Sequence, residues 1–307
     1  MKTMFYYQIA GFMVASEYCL DYAYEVDATE EVDVCIHCMS EPEGIFATIK
    51  EMVDNRNTFI YKYDRSQAFY GYPGGGIFHV KDGKEITFWP DPGMNPAWIV
   101  QTLLCQCFGA IISQRRMIGI HGSVCVWKDK AFIVCGESGA GKSTLTANLL
   151  QRGAKYMADD TACVDVRERI EVRSMVPLRK LCIDALERLD YSGDQLVELP
   201  ESYKKGVKEP ELFHLGTEPL GILFYLKKED VKDVLYRELQ GVEKLKVVTG
   251  NLYALGGYGQ PMKEPDFAQK MFSFCNQVPI YEIVRPSSGD SADRCVQVVE
   301  EIINKYE

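Results

Sequence analysis

Residues 122–127 and 131–135 are two apolar runs separated only by Lys128, Asp129 and Lys130, and the second leads straight into Gly136-Glu137-Ser138-Gly139-Ala140-Gly141-Lys142-Ser143-Thr144. A three-residue connection joins two strands only as an antiparallel hairpin, because a parallel crossover needs a dozen residues or more. The usual entry into a doubly wound parallel sheet is therefore excluded, and a mixed sheet is expected. Residues 143–151 follow with helical character. Strand, glycine loop and helix in this order spell G-x-x-x-x-G-K-[ST] in its proper setting, a phosphate cradle. Its glycines let successive backbone N–H groups point at an anion, the helix adds its positive end, Lys142 reaches the β- and γ-phosphates of a nucleotide, and the Ser143 hydroxyl is free for Mg²⁺. An accidental glycine-rich turn has no need of either flank.

If Trp127 faces Ala131, counting back along the hairpin sets Gly122 beside Gly136 and His121 beside Glu137, at the mouth of the loop. His121 is then expected near the transferred phosphoryl group, where an imidazole suits proton management or charge stabilisation. The plainer alternative is a strand-end histidine bonded to a backbone carbonyl, and a one-residue slip of register would turn the ring away. Beyond the helix, Gly153 is a C-cap and residues 156–158 form a short strand that ends in Asp159 and Asp160. One acid at such a strand end can hold Mg²⁺ opposite the loop serine while the other takes a proton from an incoming hydroxyl. Both can serve only if the strand stops or bulges at the pair, since consecutive strand residues face opposite ways. Solvated turn acids are the alternative.

The chain has 307 residues, enough for one large domain or two ordinary ones, with a formal net charge of −10. Such an acidic balance argues against nucleic acid or an anionic membrane as partner, so any phosphate recognition must be local. Eleven cysteines, an odd count, with no signal peptide and no long apolar span, read as reduced thiols of a cytoplasmic protein. Cys35, His37 and Cys38 resemble half of a zinc site, but nothing completes it. Residues 1–93 read as a β-rich N-terminal region with strands near 5–14, 32–38, 57–63, 68–71, 76–80 and 85–89. Residues 94–307 read as the nucleotide region, opening with a helix over 96–113 and closing with an amphipathic helix over 290–306.

His121-Gly122-Ser123, the glycine loop, Arg152-Gly153-Ala154 and Ala158-Asp159-Asp160 together resemble the catalytic domain of HPr kinase/phosphorylase, whose fold is similar to phosphoenolpyruvate carboxykinase. The resemblance implies a P-loop kinase core using ATP and Mg²⁺, with Lys142 on the phosphates, Ser143 and Asp160 on Mg²⁺, Asp159 as the general base and His121 in support. That family carries a glycine-rich Glu-x-Arg-Gly segment, whereas Glu171-Val172-Arg173-Ser174 lacks those glycines, so the likeness does not extend to a second metal-binding glutamate or to phosphorylase activity. The outer layout is similar to HPr-kinase-like proteins encoded with lasso peptides and related modified peptides, through Pro177-Leu178-Arg179-Lys180-Leu181 and Val278-Pro279-Ile280-Tyr281. Some of those phosphorylate a serine of the precursor peptide.

The expected activity is transfer of the γ-phosphoryl group of ATP to a Ser or Thr hydroxyl of a peptide or small-protein acceptor, with Arg173 and Arg179 available to neutralise charge. A small-molecule kinase, a carboxykinase-like phosphotransferase and a catalytically silent nucleotide-binding regulator are the competing classes. Asn251, Tyr253 and the glycines of residues 256–259 are a candidate lid, and the N-terminal strands offer an edge to an extended peptide. Oligomeric state is not encoded in any motif.

Overall fold

A computed structural model describes residues 3–188, 191, 193–199, 203–253 and 265–306. The chain forms two compact units, one built chiefly of Met1–Gly119 and the other of Ile120–Val197, Glu201–Tyr253 and Ala268–Glu307.

The first unit carries an eight-stranded mixed sheet. Its strands are β1 (Phe5–Ile9), β2 (Phe12–Ser16), β3 (Tyr24–Glu25), β4 (Val34–Cys38), β5 (Ile60–Tyr63), β6 (Gln67–Tyr72), β7 (Gly76–Lys81) and β8 (Glu85–Trp89), ordered β3-β1-β2-β4-β8-β7-β6-β5. The run expected as one strand over 5–14 is a hairpin, because Ala10 and Gly11 both take positive φ (54° and 72°) and reverse the chain in two residues. A helix absent from the sequence reading, α1 (Ile45–Arg56), buries Phe46, Ile49 and Val53 against Ile60, Ile77 and Trp89. Its single apolar stripe at i, i+3, i+7 is thin among charged neighbours, which is why it reads poorly. The helix expected after Pro96 runs over α2 (Pro96–Gln114), capped by Asn95 accepting from the Ala97 N–H at 2.9 Å and widened to π geometry over Thr102–Cys107. By length and composition alone α2 is apolar enough to cross a membrane, but 67% of its apolar window is buried inside the protein, as in a core helix.

The second unit is built on β9 (Ile118–Trp127), β10 (Lys130–Gly136), β11 (Lys155–Ala158), β12 (Thr161–Val166), β13 (Ile170–Arg173), β17 (Thr217–Glu229), β18 (Leu235–Glu238) and β19 (Ile280–Pro286). The strand order is β10-β9-β12-β13-β17-β19-β18, with β11 also on β9, and β10 additionally pairs β17 in parallel, so the path closes on itself. A small sheet, β14 (Arg179–Cys182), β16 (Lys204–Val207) and β15 (Leu196–Glu198), stands apart from it in the strand pairing. Helices α3 (Lys142–Gln151) and α5 (Ala292–Ile303) bury Leu145, Leu149, Val298 and Ile302 against Phe132, Val134, Phe224 and Ile283. Truncating a side chain as enclosed as Phe132 or Phe224, each 0% exposed, costs about 3–5 kcal/mol.

The β9–β10 hairpin corrects the expected register. Lys128 and Asp129 both adopt positive φ (51° and 56°), closing the turn in two residues, so Lys130 already pairs with Trp127 and the ladder ends at Cys135 opposite Gly122. At the other edge of β10, Gly136 lies opposite Leu226 at φ 146°, and a Cβ there would sit 2.1 Å from the Leu226 carbonyl oxygen. Backbone cannot yield as a side-chain tip would. Gly136→Ala is therefore expected to destabilise the fold by about 3 kcal/mol or more, read from the urea midpoint at unchanged m-value.

Candidate functional site

The loop that leaves β10 is shaped by what ties back its acceptors. Gly139 and Gly141 take positive φ (76° and 100°). Lys142 Nζ donates to the carbonyls of Gly136 at 2.8 Å and Glu137 at 3.1 Å, and burial pulls this amine below its ordinary pKa. Arg285, at the end of β19, donates through Nε to the Ala140 carbonyl at 2.6 Å and through Nη2 to that of Gly139 at 3.2 Å. With four loop carbonyls engaged in this way, the N–H side is left to face outward. Gly141 caps α3 without a side chain, so the first-turn N–H groups of Lys142, Ser143 and Thr144 have no partner among the described residues. Unfilled donors at the positive end of a helix are what a phosphate requires.

A cavity of about 430 Å³ opens over this loop, lined by Ser138, Gly139, Gly141, Lys142, Ser143 and Thr144 together with His121, Asp159 and Asp160. The structure thus brings the loop, the histidine and the twin acids to one place. Gly136 and Glu137 face a neighbouring hollow instead, and Ala140 is buried at 1% exposure. His121 reaches the cavity despite the changed register because its strand leaves β10 at Gly122. There the His121 N–H donates to the Asn251 carbonyl at 2.7 Å, and its ring stacks on Tyr253 at a centroid distance of 6.4 Å.

Asp159 and Asp160 are the two residues between β11 and β12, so the strand does stop at the pair. Asp160 holds φ 71°, a left-handed conformation that a short acidic side chain tolerates, and the reversal turns both carboxylates into the cavity. Asp159 accepts from the Ser123 hydroxyl and from the Lys180 backbone N–H, each at 2.7 Å. Asp160 lies 3.4 Å from His121 Nδ1 and 3.4 Å from Lys180 Nζ. Burial alone would raise its carboxyl, but Lys180, His121 and Lys204 outweigh that and hold it below the usual carboxylate range. Lys180 therefore clamps both acids, one through its backbone and one through its ammonium.

Ser123, Lys180, Lys204 and Arg285 were not singled out from the sequence as site residues. Arg285 had a signal, since it ends an apolar run that reads as a strand, and ligands of α/β sheets gather at strand ends. Lys180 and Lys204 are carried by β14 and β16, which pair at Lys180 opposite Gly206 and Cys182 opposite Lys204, a contact no local pattern announces. The two arginines expected to neutralise charge are engaged elsewhere. Arg179 is 1% exposed and paired with Glu209 and the Tyr191 hydroxyl, while Arg173 is paired with Asp165 at 2.6 Å, and neither lines the cavity. Glu171, on β13, does not line it either. Residues 256–259 of the expected lid lie outside the described residues.

Lys142, Lys180, Lys204 and Arg285 face only Asp159 and Asp160 among the cavity's formal charges, a local excess of cations in a chain of net −10. The described residues hold no group of three or more His, Cys, Asp or Glu that could bind a metal unaided. Magnesium needs no such cage, since it is commonly held by one or two carboxylates, water and substrate phosphates, and Ser143 with Asp160 suits that mode.

No protein-family model matches the chain, and no curated protein does. Among solved structures it is similar to the Hpr(Ser) kinase/phosphatase from Coxiella burnetii at 12% identity, covering 61% of this chain and 95% of that one with a TM-score of 0.31. What the cavity can do follows from its own residues.

Two outcomes are expected. The folded pKa of Asp160 lies below its unfolded value, so its contribution to stability is fully present above the ordinary carboxylate range and is lost as pH falls through the depressed folded pKa. Asp160→Asn should flatten the acid limb of the melting-temperature profile between about pH 6 and pH 2, whereas an unchanged limb would show that the cations around it stabilise nothing. Arg285→Lys keeps the charge but loses the fork that holds two carbonyls. It is expected to weaken Mg·ADP binding roughly tenfold by calorimetry while the protein remains folded.

Proposed function

We propose that this chain is an ATP- and Mg²⁺-dependent kinase that transfers the γ-phosphoryl group to a Ser or Thr hydroxyl of a peptide or small protein, for instance a ribosomally made precursor peptide, in the cytoplasm. Its core would be HPr-kinase-like and related to phosphoenolpyruvate carboxykinase, with residues 94–307 as the catalytic region and residues 1–93 as an accessory β-rich region. The observation that carries the reading is the convergence of a phosphate loop with outward N–H groups and two strand-end aspartates in one cation-rich cavity. A further hollow of about 340 Å³, lined by Thr144, Leu145, Arg285 and Ser291, flanks the loop on the helix side and supports a nucleoside attached to the phosphates.

Phosphoryl transfer leaves a protein little covalent work, so positioning and charge are what the residues supply. The loop N–H groups and Lys142 hold the β- and γ-phosphates. Ser143 Oγ and Asp160 would hold Mg²⁺, which supplies charge neutralisation at the phosphate oxygens when bound. Asp159 is fixed by Ser123 and the Lys180 N–H, and each of its oxygens keeps a lone pair for the proton of the acceptor hydroxyl. As the acceptor oxygen forms its bond to phosphorus and the bond to the ADP oxygen breaks, that proton passes to Asp159. Lys180, Lys204 and His121 line the same cavity and add positive charge and a proton-bearing imidazole to it.

Asp159→Asn removes the proton acceptor and little of the phosphate grip. Transfer from ATP to an acceptor peptide should fall by about 10²–10⁴-fold while calorimetric affinity for Mg·ATP stays within about twofold. Equal transfer by the variant would sink the assignment of the base.

A further inference from the structure

The phosphate loop is flanked on its other side by a hollow of about 680 Å³, lined among others by Glu137, Ser138, Tyr225, Arg237 and Lys246. It shares His121 and Ser138 with the phosphate cavity, so the two hollows adjoin at these residues. The nucleoside-sized hollow lies at Thr144 and Leu145, whereas this one begins at Gly136 and Glu137. A triphosphate laid along the loop with its base by Thr144 therefore points its terminal group this way, and an in-line acceptor must approach from beyond that group.

Part of the floor of the hollow is a row of paired residues crossing three strands, Tyr225 beside Glu282 and Glu282 beside Arg237. Two inter-strand spacings amount to about 10 Å, the length of roughly three extended residues. On the opposite face, the neighbouring residues Phe224, Leu226, Tyr281 and Ile283 enter the apolar core. The face toward the hollow stays polar. Its central charges cancel one another, with Glu282 accepting from Lys227 at 3.4 Å and from Arg237 at 3.1 Å, and Arg237 reaching Glu243 at 2.9 Å.

Two exposed charges make no ion pair with this network, although Lys246 acts through space on Glu243. Glu137 sits on the loop side, and Lys246 sits on the helix α4 (Val242–Gly250) that forms the facing wall, and neither enters an ion pair among the described residues. A small acceptor would meet only one of them, whereas an extended chain laid across the row meets both. We infer that this trough seats the acceptor, and that the acceptor is an extended polypeptide segment whose hydroxyl residue is flanked by a cationic side chain toward the phosphate loop and an anionic one toward α4. This rests on the kinase reading above.

The test uses the full chain, Mg·ATP and an array of serine-centred peptides in which each flanking position is fixed in turn as Lys, Glu or Ala, with phosphopeptides read by mass spectrometry. Mg·ADP affinity is measured by calorimetry on the same preparations. Wild-type protein should favour Lys on one side of the serine and Glu on the other. Lys246→Glu should reverse the Glu preference, by roughly tenfold in relative transfer, and leave the Lys preference and Mg·ADP affinity unchanged, while Lys246→Arg should behave as wild type. Transfer with no flanking charge preference, or a preference untouched by Lys246→Glu, would overturn the trough. Tight Mg·ADP binding with no peptide phosphorylated would overturn the polypeptide acceptor alone. Absence of any nucleotide binding would overturn the kinase reading itself, and the trough with it.

Discussion

The second unit depends on how closely β10 approaches β17. Parallel pairing along six residues carries β10 to Gly136 against the Leu226 carbonyl, a distance that only a residue without Cβ permits. β19 lies on the far side of β17, so its end delivers Arg285 across β17 to the loop leaving β10. The cradle is thus held by the sheet, through Arg285, as well as by the loop's own Lys142. Glycines give the loop its freedom, and Arg285 and Lys142 remove it by engaging the carbonyls of Gly136, Glu137, Gly139 and Ala140. Had these carbonyls faced the cavity, their partial negative charge would repel an anion as strongly as the amides attract it.

Around that cradle the electrostatics run against the chain's average. A protein of net −10 gathers three lysines and an arginine over two aspartates. Burial strengthens these interactions, because charges in a half-enclosed cavity are screened less than surface pairs. It also sets a condition on the aspartates. Two adjacent carboxylates repel, and they coexist here because one is satisfied by neutral donors, Ser123 and a backbone N–H, and the other by cations. Their environments differ although their sequence positions do not, and different environments are what divide two like groups into different tasks.

Much of this was legible in residue order. The hairpin follows from the shortness of its connection, the cradle from G-x-x-x-x-G-K-[ST] between a strand and a helix, and the strand-end acids from two aspartates after a short apolar run. Local signals failed where conformation overrode counting. Two left-handed residues, Lys128 and Asp129, closed the hairpin one residue earlier than the apolar pattern suggests, without the glycine that usually announces such a turn, although aspartate tolerates positive φ. The likeliest-looking arginines, Arg173 and Arg179, were taken by Asp165 and Glu209, because a guanidinium near a buried carboxylate is committed to it. The cations that do face the cavity come from β14, β16 and β19, remote in sequence from the loop they serve. Nothing in a local window can report a contact of that range.

The pairing of Lys180 with both aspartates has a consequence for how the site changes state. Its backbone N–H fixes Asp159 through a strand, but its ammonium reaches Asp160 only at 3.4 Å, a loose contact that a divalent ion on the same carboxylate would outcompete. Asp160 stands in a left-handed turn whose carbonyl accepts from the Gly122 N–H at 3.3 Å, so the carboxylate can change partners without moving the chain. On the proposed kinase reading, the cost of ordering this side chain is met in the folded protein, where the ammonium already stands over the acid.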